Sequence, residues 1–407
     1  MSLLVQKFGG TSVATVAHIE DVARKILRSR EADHQIVVVV SAMGHETDRL
    51  DSLAREVGIT EGDMHREVDV LLSTGEQVTT ALLAMTLMKM GCPAKSYTGG
   101  QIKILTDSTH MKARILDIDV AKLQQDIDAG CVAVVAGFQG VDEDHNITTL
   151  GRGGSDTTAV ALASVLKAQE CQIYTDVEGV FTTDPKVVED AKCLSTLTFE
   201  EMLELSSLGS KVLHTRAVEF ASKFQMPIRV LSTFTDAPGT LITKEDQSDM
   251  EQPIISGIAF TRDEAQLMVL GVENIPGIAW KILGPISEAN IEVDMIVQNV
   301  AADKSTDFTF TVRREDYDHA MKILKGVAKG IEAREVTGDN KIAKLSLVGV
   351  GMRSHAGVAS KMFEVLSDES INIQMISTSE IKISVVVNEK YLELAVRALH
   401  SAFELSE

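Results

Sequence analysis

The 407-residue sequence is poor in cysteine and in aromatic residues, and it has no excess of positive charge. Its four cysteines lie far apart and show no C-x-x-C spacing, so neither a zinc site nor a disulfide framework is predicted. The formal net charge of −20 at pH 7 argues against a nucleic-acid backbone or an anionic membrane as a partner. A basic pocket for a phosphorylated ligand remains compatible with this charge, because net charge says nothing about one cleft.

Long apolar runs and low-complexity segments are also missing. No apolar run reaches the roughly 18 residues of a transmembrane helix, and no basic-then-apolar signal opens the sequence. Scattered thiols are typical of a reducing cytoplasm, so we expect a soluble cytoplasmic protein. Because apolar residues make up 44% of the sequence, they can fill the cores of two or three domains.

Residues 1–235 alternate short apolar runs with longer helical segments. The runs IVVVV at 36–40 and VAVVA at 132–136 are continuous and apolar, as expected of strands buried on both faces of a parallel sheet. The sequence therefore predicts a doubly wound α/β domain that binds ligands outside the carboxyl ends of its strands. Helices are predicted between the strands at 16–29, 76–90, 155–166 and 200–208.

A polar segment with two prolines at 236–253 reads as a linker, and an internal repeat follows it. The stretch 271–298 matches 349–378 at an offset of 80 residues over most of its length. A strand and a helix follow each copy, which gives the β-α-β-β-α core of a ferredoxin-like unit. We expect a catalytic domain at 1–235, the linker, and two repeat units at 254–340 and 341–407.

Strand counting suggests that the two repeat units share strands. The first copy has a candidate closing strand at 331–336, whereas the second ends in its helix. Two four-stranded sheets need eight strands, and the segment at 254–260 supplies the one that is missing. We expect one compact module.

The first candidate site is KFGGTS at 7–12. Paired glycines at a strand end let the backbone approach a ligand and turn its N–H groups inward. Thr11 and Ser12 are candidates to cap the following helix, whose dipole favours an anion. The lysine precedes the glycines, so this is not the P-loop pattern. A tight turn with an exposed Lys7 is the alternative.

A second Gly-Gly pair opens a helix in LGRGGSDTTAVALA at 150–163. Arg152 can grip a carboxylate or phosphate by a bidentate fork. Asp156, in the first helical turn, either stabilises the helix or orients lysines around phosphate. Two such loops at the edge of one parallel sheet are hard to explain as turns alone, so together they favour ligand binding.

Three further segments are weaker candidates. In STGEQ at 73–77, Glu76 is expected in the first turn of a helix, as a capping carboxylate or as a group for a substrate ammonium. In YTDVEGVFTTDP, Thr175, Asp176 and Asp184 are either nucleotide contacts or a hydrophilic turn. Lys211 follows a Gly-Ser turn, where a lone lysine is usually a surface residue.

Lysines, glycine N–H groups and carboxylates around phosphate are what phosphoryl transfer needs, because its catalysis is mostly positioning and charge stabilisation. In order, the motifs VQKFGGTSV, VVVVSAM, STGEQVT, TLGRGGSDTTAVALA, YTDVEGVFTTDP and GSKVLHTRAVEFA resemble the motif set of monofunctional aspartate kinases. The ending STSEIKIS with the doubled unit is similar to their pair of ACT domains. The resemblance covers essentially 4–405.

The resemblance implies transfer of the γ-phosphoryl group of MgATP to the β-carboxylate of L-aspartate. Lys7 and Lys211 would neutralise the transferred phosphoryl group, and Asp156 would orient the lysines. The implied aspartate-binding residues are Ser41, Thr47, Glu76, Arg152, Gly153, Gly154 and Ser155. The implied ATP-binding residues are Lys7, Phe8, Gly9, Gly10, Thr175, Asp176, Asp184, Lys211 and Val212, with Mg²⁺ held mainly by the nucleotide phosphates.

The resemblance also implies feedback inhibition by lysine, threonine or both, bound between ACT units. The implied effector-binding residues are Gly277, Ile278, Asp294, Gln298, His355, Val358, Asn372 and Glu380. Packing is the alternative role for Ile278 and Val358. Thr215 and Ala356 stand where family members often have proline after histidine; the second change would alter the rigidity of the effector loop.

The resemblance further implies a homo-oligomer formed through ACT domains, and it leaves open a small subunit made from an internal start near Met250. Two other hypotheses remain. One is another amino-acid kinase, such as an enzyme acting on glutamate. The other is a non-enzymatic ligand-sensing ACT protein with an inactive kinase domain, which the intact set of charged motif residues disfavours.

Overall fold

The computed structural model describes residues 2–58, 64–209, 212–244, 254–301, 305–352 and 356–406. These residues form two compact units. The first contains residues 2–181, 193–207 and 212–244, and the second contains 182–192, 208–209 and the described residues from 254 onward. Two short segments from the N-terminal part of the sequence therefore belong to the second unit.

The strands of the first unit are β1 (Ser2–Phe8), β2 (His34–Val40), β3 (Ala94–Tyr97), β4 (Ile104–Thr106), β5 (Ile115–Ile118), β6 (Val132–Ala136), β7 (Gln139–Val141), β8 (Ile147–Thr149), β9 (Glu170–Thr175), β10 (Thr196–Thr198), β11 (Ile228–Ser232) and β12 (Thr240–Thr243). The central sheet has the order β10-β12-β11-β9-β1-β2-β6-β3, and β5-β4-β7-β8 form a smaller sheet. All pairs in the central sheet are parallel except β11 with β12.

The predicted doubly wound, mainly parallel sheet is therefore confirmed. The apolar runs at 36–40 and 132–136 form its central strands, and all their side chains are buried, because helices cover both faces of such a sheet. The sheet also extends into the segment predicted as a linker, since Thr240–Thr243 form β12. Residues 245–253 of that segment lie outside the described residues.

The helices of the first unit are α1 (Val16–Glu31), α2 (Glu46–Glu56), α3 (His65–Lys89), α4 (Ala121–Asp128), α5 (Gly154–Val165), α6 (Phe199–Ser207) and α7 (Thr215–Phe224). The expectation that Thr11 and Ser12 cap α1 is wrong. They lie in a separate 3₁₀ turn, and the cap is Thr15, whose hydroxyl oxygen accepts from the N–H of His18 at 3.2 Å.

Helix α3 begins eleven residues before its expected start, so Ser73–Glu76 lie in its interior. By length and composition α3 could cross a membrane, but half of its most apolar window is buried inside the fold, which is typical of a core helix. Gly75 permits a close crossing, because a Cβ atom at this position would lie 2.8 Å from the Cβ of Ala42. Residues that follow β2 are thereby brought against the middle of α3.

The strands of the second unit are β13 (Ile254–Glu273), β14 (Val293–Val300), β15 (Ser305–Val312), β16 (Glu335–Val350), β17 (Ile373–Thr378) and β18 (Lys382–Asn388). Its helices are α8 (Ile278–Glu288), α9 (Tyr317–Ala328), α10 (Ala356–Asp368) and α11 (Leu392–Ala402). The strands form one antiparallel sheet with the order β14-β15-β13-β16-β18-β17. Helices α8 and α9 cover one apolar core, and α10 and α11 cover the other.

The two repeats share strands, as strand counting predicts, but they form one six-stranded sheet and not two four-stranded sheets. Strands β13 and β16 are long enough to run through both repeats. The residues at 254–260 pair with 345–350 of β16, and those at 266–270 pair with 335–339. Register shifts around Glu264 separate these two paired stretches without ending either strand. Bulges therefore fuse the predicted strands into longer ones.

A chain of polar groups crosses four neighbouring strands of this sheet beside the bulges. The Lys344 ammonium on β16 lies 2.9 Å from Glu264 Oε1 on β13, and it also pairs with Asp294 on β14. On β15, Thr311 hydrogen-bonds the Glu264 carboxylate. Burial alone would lower the pKa of Lys344, but the nearby charges of Glu264 and Asp294 raise it, so the buried lysine stays charged.

We predict that Lys344→Met destabilises the protein by about 3–5 kcal/mol at neutral pH, because it leaves Glu264 buried without its counter-charge. Burial already raises the pKa of Glu264, so the loss should shrink at acid pH as this carboxyl group takes up a proton. Denaturant unfolding at several pH values measures the effect.

Lys341→Met is the matched control, because Lys341 is an exposed lysine of the same strand. Its effect should stay within about 0.5 kcal/mol. Equal effects of the two substitutions, or a loss from Lys344→Met that does not change with pH, would contradict the assignment.

Candidate active site

The candidate site lies at the carboxyl edge of the central parallel sheet. Neighbouring strands β9, β1, β2 and β6 all run in the same direction and end together at this edge. The segments that follow them are joined by backbone hydrogen bonds, from Ser41 N–H to the Phe8 carbonyl at 3.1 Å and from Gly44 N–H to the Gly10 carbonyl at 3.0 Å. The motifs of 7–12 and 41–47 therefore form one continuous edge.

A buried ion pair stands at the centre of this edge. Lys7, near the end of β1, is 9% exposed, and its Nζ lies 2.6 Å from Oδ1 of Asp156 in the first turn of α5. The residue before that helix, Gly153, has a left-handed φ of 72°, and a Cβ atom there would lie 2.3 Å from the Cβ of His214. Glycine at 153 thus permits the turn that brings Asp156 to Lys7. Lys7 is not the exposed lysine of the alternative hypothesis.

The glycines of the first loop serve backbone packing. The N–H of Gly9 donates to the Tyr174 carbonyl at 3.2 Å, which corrects the expectation that this N–H faces phosphate. A Cβ atom on Gly10 would lie 3.0 Å from the Ala42 carbonyl oxygen, so this glycine allows the loop to approach the next strand. The Phe8 ring is fully buried and stacks on Tyr174 at 4.6 Å, which leaves only its backbone for a ligand.

The second buried charge is Glu76, which is 2% exposed. Its Oε1 accepts from the N–H of Ala42 at 3.1 Å, while Oε2 is buried without a hydrogen-bond partner among the described residues. Burial raises the pKa of Glu76 to about 7, although the backbone N–H groups of Glu76 and Ala42 act in the opposite direction. Because Glu76 lies in the interior of α3, the capping hypothesis is wrong. A buried carboxylate with one orphaned oxygen suits a cationic group.

Another buried acid of α3, Asp69, was missed by the sequence reasoning. It lies seven residues before Glu76 and therefore on the same helix face. Unlike Glu76 it is fully satisfied, since it accepts from Met111 N–H at 3.0 Å and from the Thr149 hydroxyl at 2.5 Å and pairs with His110 Nδ1 at 2.7 Å. The heptad spacing of two acids within an apolar helix is the signal that could have identified it. Asp69 ties α3 to the smaller sheet.

The other predicted substrate residues lie around this edge. Thr47 is half-buried on α2, and Arg152 is exposed and forms no ion pair with a described residue. Gly154 and Ser155 are buried at the start of α5, where a Cβ atom on Gly137 would lie 2.7 Å from the Cβ of Ser155. This contact places the start of α5 against the end of β6.

The predicted nucleotide-binding residues belong to both compact units. Thr175 ends β9, and its hydroxyl donates to the exposed Asp176 carboxylate at 3.0 Å. Asp184 belongs to the second unit, where it is exposed and accepts from the N–H of Lys186 at 2.9 Å. Val212 is half-buried, and Lys211 lies outside the described residues.

The predicted effector residues that the structure describes lie at helix starts, on β14, or in the segments that flank β17 of the second unit. Gly277 caps α8 with a left-handed φ of 91°. Ile278 and Val358 are buried in the two helix-covered cores, which favours packing as their role. Asp294 is held by Lys344, and His355 lies outside the described residues. The exposed members are Gln298, Asn372 and Glu380.

Family models match both the N-terminal and the C-terminal part of the chain. A model described as the amino acid kinase family matches residues 2–232. Two models described as ACT domains match residues 266–329 and 345–403.

Curated relatives match along the whole chain. The chain is 67% identical over 405 residues to the aspartate kinase Ask_LysC of Stutzerimonas stutzeri, covering 100% of this chain and 98% of that protein. It is 68% identical over 406 residues to an aspartokinase of Pseudomonas aeruginosa, with the same coverage.

Among solved structures, E. coli aspartokinase III in complex with aspartate and ADP, in the R-state, has a TM-score of 0.82 at 25% identity. The same protein in complex with lysine and aspartate, in the T-state, has a TM-score of 0.75, also at 25% identity. In both cases 98% of this chain and 99% of the other are covered.

We predict that Glu76→Gln stabilises the unliganded protein. Burial raises the pKa of Glu76 from 4.5 to about 7, so the folded protein binds the carboxyl proton more tightly than the unfolded chain does. The free energy of unfolding therefore falls as the pH rises through this range and Glu76 ionises. Glutamine cannot ionise, so the variant does not lose this stability. Its free energy of unfolding should exceed that of the unchanged protein by an amount that grows above pH 4.5 and reaches on the order of 3 kcal/mol above pH 7.

Thermal unfolding from pH 5 to pH 8.5 measures the gain. Glu67→Gln, an exposed acid of the same helix, is the control and should change stability by no more than about 0.5 kcal/mol. A destabilised Glu76→Gln variant at pH 8 would show that the carboxylate is satisfied within the protein.

Proposed function

The chain belongs to the aspartate kinases of the amino acid kinase family, and from this premise we propose that it transfers the γ-phosphoryl group of ATP to the β-carboxylate of L-aspartate. The product would be 4-phospho-L-aspartate, at the first step of the route to lysine, threonine and methionine. One observation carries the proposal: the same sheet edge holds a buried cation, Lys7, and a buried, half-satisfied anion, Glu76.

In the proposed reaction a β-carboxylate oxygen attacks the γ-phosphorus, the bond to the bridging oxygen breaks, and ADP leaves. The substrate carboxylate is ionised at neutral pH, so no general base is required. Asp156 is therefore assigned to orient Lys7, and their 2.6 Å contact supports that role. Lys7 would neutralise charge on the transferred phosphoryl group, and we propose the same for Lys211.

The proposed aspartate pocket uses two charged groups, Glu76 and Arg152, neither of which has an ion-pair partner among the described residues. The orphaned Glu76 Oε2 would accept a hydrogen bond from the α-ammonium group. The exposed Arg152 would hold the α-carboxylate by a bidentate fork. Ser41 and Thr47, on the segment after β2, would complete the pocket.

The proposed nucleotide side consists of the loop after β1, Thr175, Asp176 and Asp184. No group of three His, Cys, Asp or Glu residues in the described part of the chain could hold a metal ion. From the needs of phosphoryl transfer, we propose that Mg²⁺ binds mainly through the nucleotide phosphates, where it would neutralise their charge.

Lysine and threonine are the proposed allosteric effectors, bound at the ACT domains. The side chain of Asp294 is about half exposed, so an effector ammonium can reach it. Since Asp294 already pairs with Lys344, such a ligand would compete with an internal cation. The exposed Gln298 and Asn372 are the polar groups proposed to complete the pockets.

A homo-oligomer is proposed from the outer strands of the six-stranded sheet. Among the described residues, the outer edges of β14 and β17 have no strand partner. Ile296 and Ile376 occupy equivalent positions on these strands and are 50% and 45% exposed. Exposed edges with apolar side chains are ready to pair with a second copy.

The internal start at Met250 lies outside the described residues. A chain that began there would hold the six-stranded sheet but would lack 182–192, which belong to the same compact unit. The small subunit and the cytoplasmic location stay predictions.

The reaction is tested by trapping the acyl phosphate with hydroxylamine across a panel of amino acids. We expect aspartyl hydroxamate, with glutamate and other amino acids giving little product. Lys7→Ala should lower kcat at least about 100-fold, because Lys7 acts on transition-state charge. Lys25→Ala is a control for loss of a partly exposed lysine of the same unit. No product with aspartate would contradict the proposal, and glutamate hydroxamate would favour the other amino-acid kinase hypothesis.

Feedback regulation is tested by initial rates with lysine and threonine, alone and combined. We expect inhibition by at least one of them, and a half-inhibitory concentration raised about tenfold or more in Asp294→Asn, because a neutral amide attracts an ammonium less strongly. Glu292→Gln, an exposed acid of the same repeat, should keep the original value. Full activity at high concentrations of both amino acids would exclude them as effectors.

A further inference from the structure

The segment 182–192 joins two strands of one unit but packs in the other. In the sequence it lies between β9 and β10 of the central parallel sheet, yet it belongs to the compact unit of the six-stranded sheet. Val187 and Val188 pack against the apolar core that α10 and α11 cover. The end of the motif YTDVEGVFTTDP, from Thr182 onward, therefore belongs to the second compact unit, which also contains both ACT domains.

Thr182 anchors the start of this segment through four hydrogen bonds. Its carbonyl accepts from the N–H of Ile258 at 2.6 Å, and its N–H donates to the Lys192 carbonyl at 2.9 Å. Its hydroxyl oxygen accepts from the N–H of Lys192 at 3.0 Å and bonds His400 Nε2 at 2.9 Å. Gly257 leaves room for this contact, because a Cβ atom there would lie 2.6 Å from the Thr182 carbonyl oxygen. The anchor is close-packed as well as hydrogen-bonded.

His400, the other partner in this contact, is 1% exposed in the last turn of α11. Burial lowers its pKa, so the imidazole is neutral near pH 7 and can share a hydrogen bond with a hydroxyl group at little cost. Nothing in the proposed reaction uses this buried histidine. Its side-chain partner, however, stands two residues before Asp184.

We propose that His400 is a positioning residue for nucleotide binding: through Thr182 it fixes the segment that carries Asp184. This inference rests on the proposed function, which assigns Asp184 to the nucleotide side.

The test is nucleotide affinity in Thr182→Val, which keeps the side-chain volume and removes the hydroxyl group. Thr182→Val removes both hydrogen bonds of the hydroxyl group, those with His400 and with the N–H of Lys192. We expect the Kd for ADP, measured by calorimetry without aspartate, to rise roughly three- to tenfold. The KM for ATP should rise in parallel, while the KM for aspartate should stay within about twofold, because a positioning role affects one substrate only.

His400→Ala should act in the same direction, and His400→Gln should recover part of the affinity because its amide can still bond the hydroxyl group. His319→Ala, an exposed histidine on α9, is the matched control and should bind ADP as the unchanged protein does. If His400→Ala lowers the melting temperature, the volume-conserving Thr182→Val and the partial recovery in His400→Gln still show whether the contact affects ADP binding.

A double-mutant cycle with Asp184→Ala separates positioning from general loosening. We expect Thr182→Val to weaken ADP binding less than about twofold further once Asp184 is removed. Additive effects, an unchanged Kd in Thr182→Val, or equal increases in both KM values would overturn the inference. Normal ADP binding without phosphorylation of aspartate would count against the proposed function alone, because the ADP measurements do not depend on turnover.

Discussion

A buried positive charge at the end of β1 is the constraint on which the arrangement of the first unit depends. Lys7 is paired in register with Val39 and Ile173, within a sheet whose centre is apolar. An ammonium group there would cost several kcal/mol without a counter-charge. Asp156 supplies that charge only because the left-handed turn at Gly153 sets the first turn of α5 against the strand end. One ion pair thus fixes a strand, a glycine turn and a helix N-terminus at the same edge.

The two buried acids of α3 show how the protein separates structure from binding. Asp69 has all its hydrogen bonds within the protein, so it holds the helix in place at no further cost. Glu76, two turns later on the same face, has one oxygen without a partner among the described residues and a raised pKa. An unsatisfied buried carboxylate weakens the unliganded fold and strengthens the binding of a cation that completes it. The unpaired, buried oxygen of Glu76 therefore favours a binding role for this carboxylate over a purely structural one.

The sequence could predict what depends on local pattern and could not predict what depends on distant contacts. Continuous apolar runs at 36–40 and 132–136 predict strands buried on both faces, because the runs are short and rich in β-branched valine and isoleucine. The position of Glu76 was missed because Ser-Thr-Gly usually precedes a helix, and only the close crossing of α3 over the segment after β2 shows why glycine lies inside one. The contact of Thr182 with His400 joins residues 218 positions apart, and no local signal marks it.

The doubled unit repeats its backbone but not its charges. Asn290 and Ser370, at equivalent positions after α8 and α10, both adopt a left-handed φ, of 58° and 56°. The two helices therefore end in the same way. Asp294, however, corresponds to Gln374, so only the first copy presents a carboxylate to Lys344. A ligand ammonium bound at these positions would have to compete with that lysine in the first repeat, whereas it would meet a neutral amide in the second. Because backbone shape is shared and charge is not, we expect the two repeats to differ in the ligand that they accept.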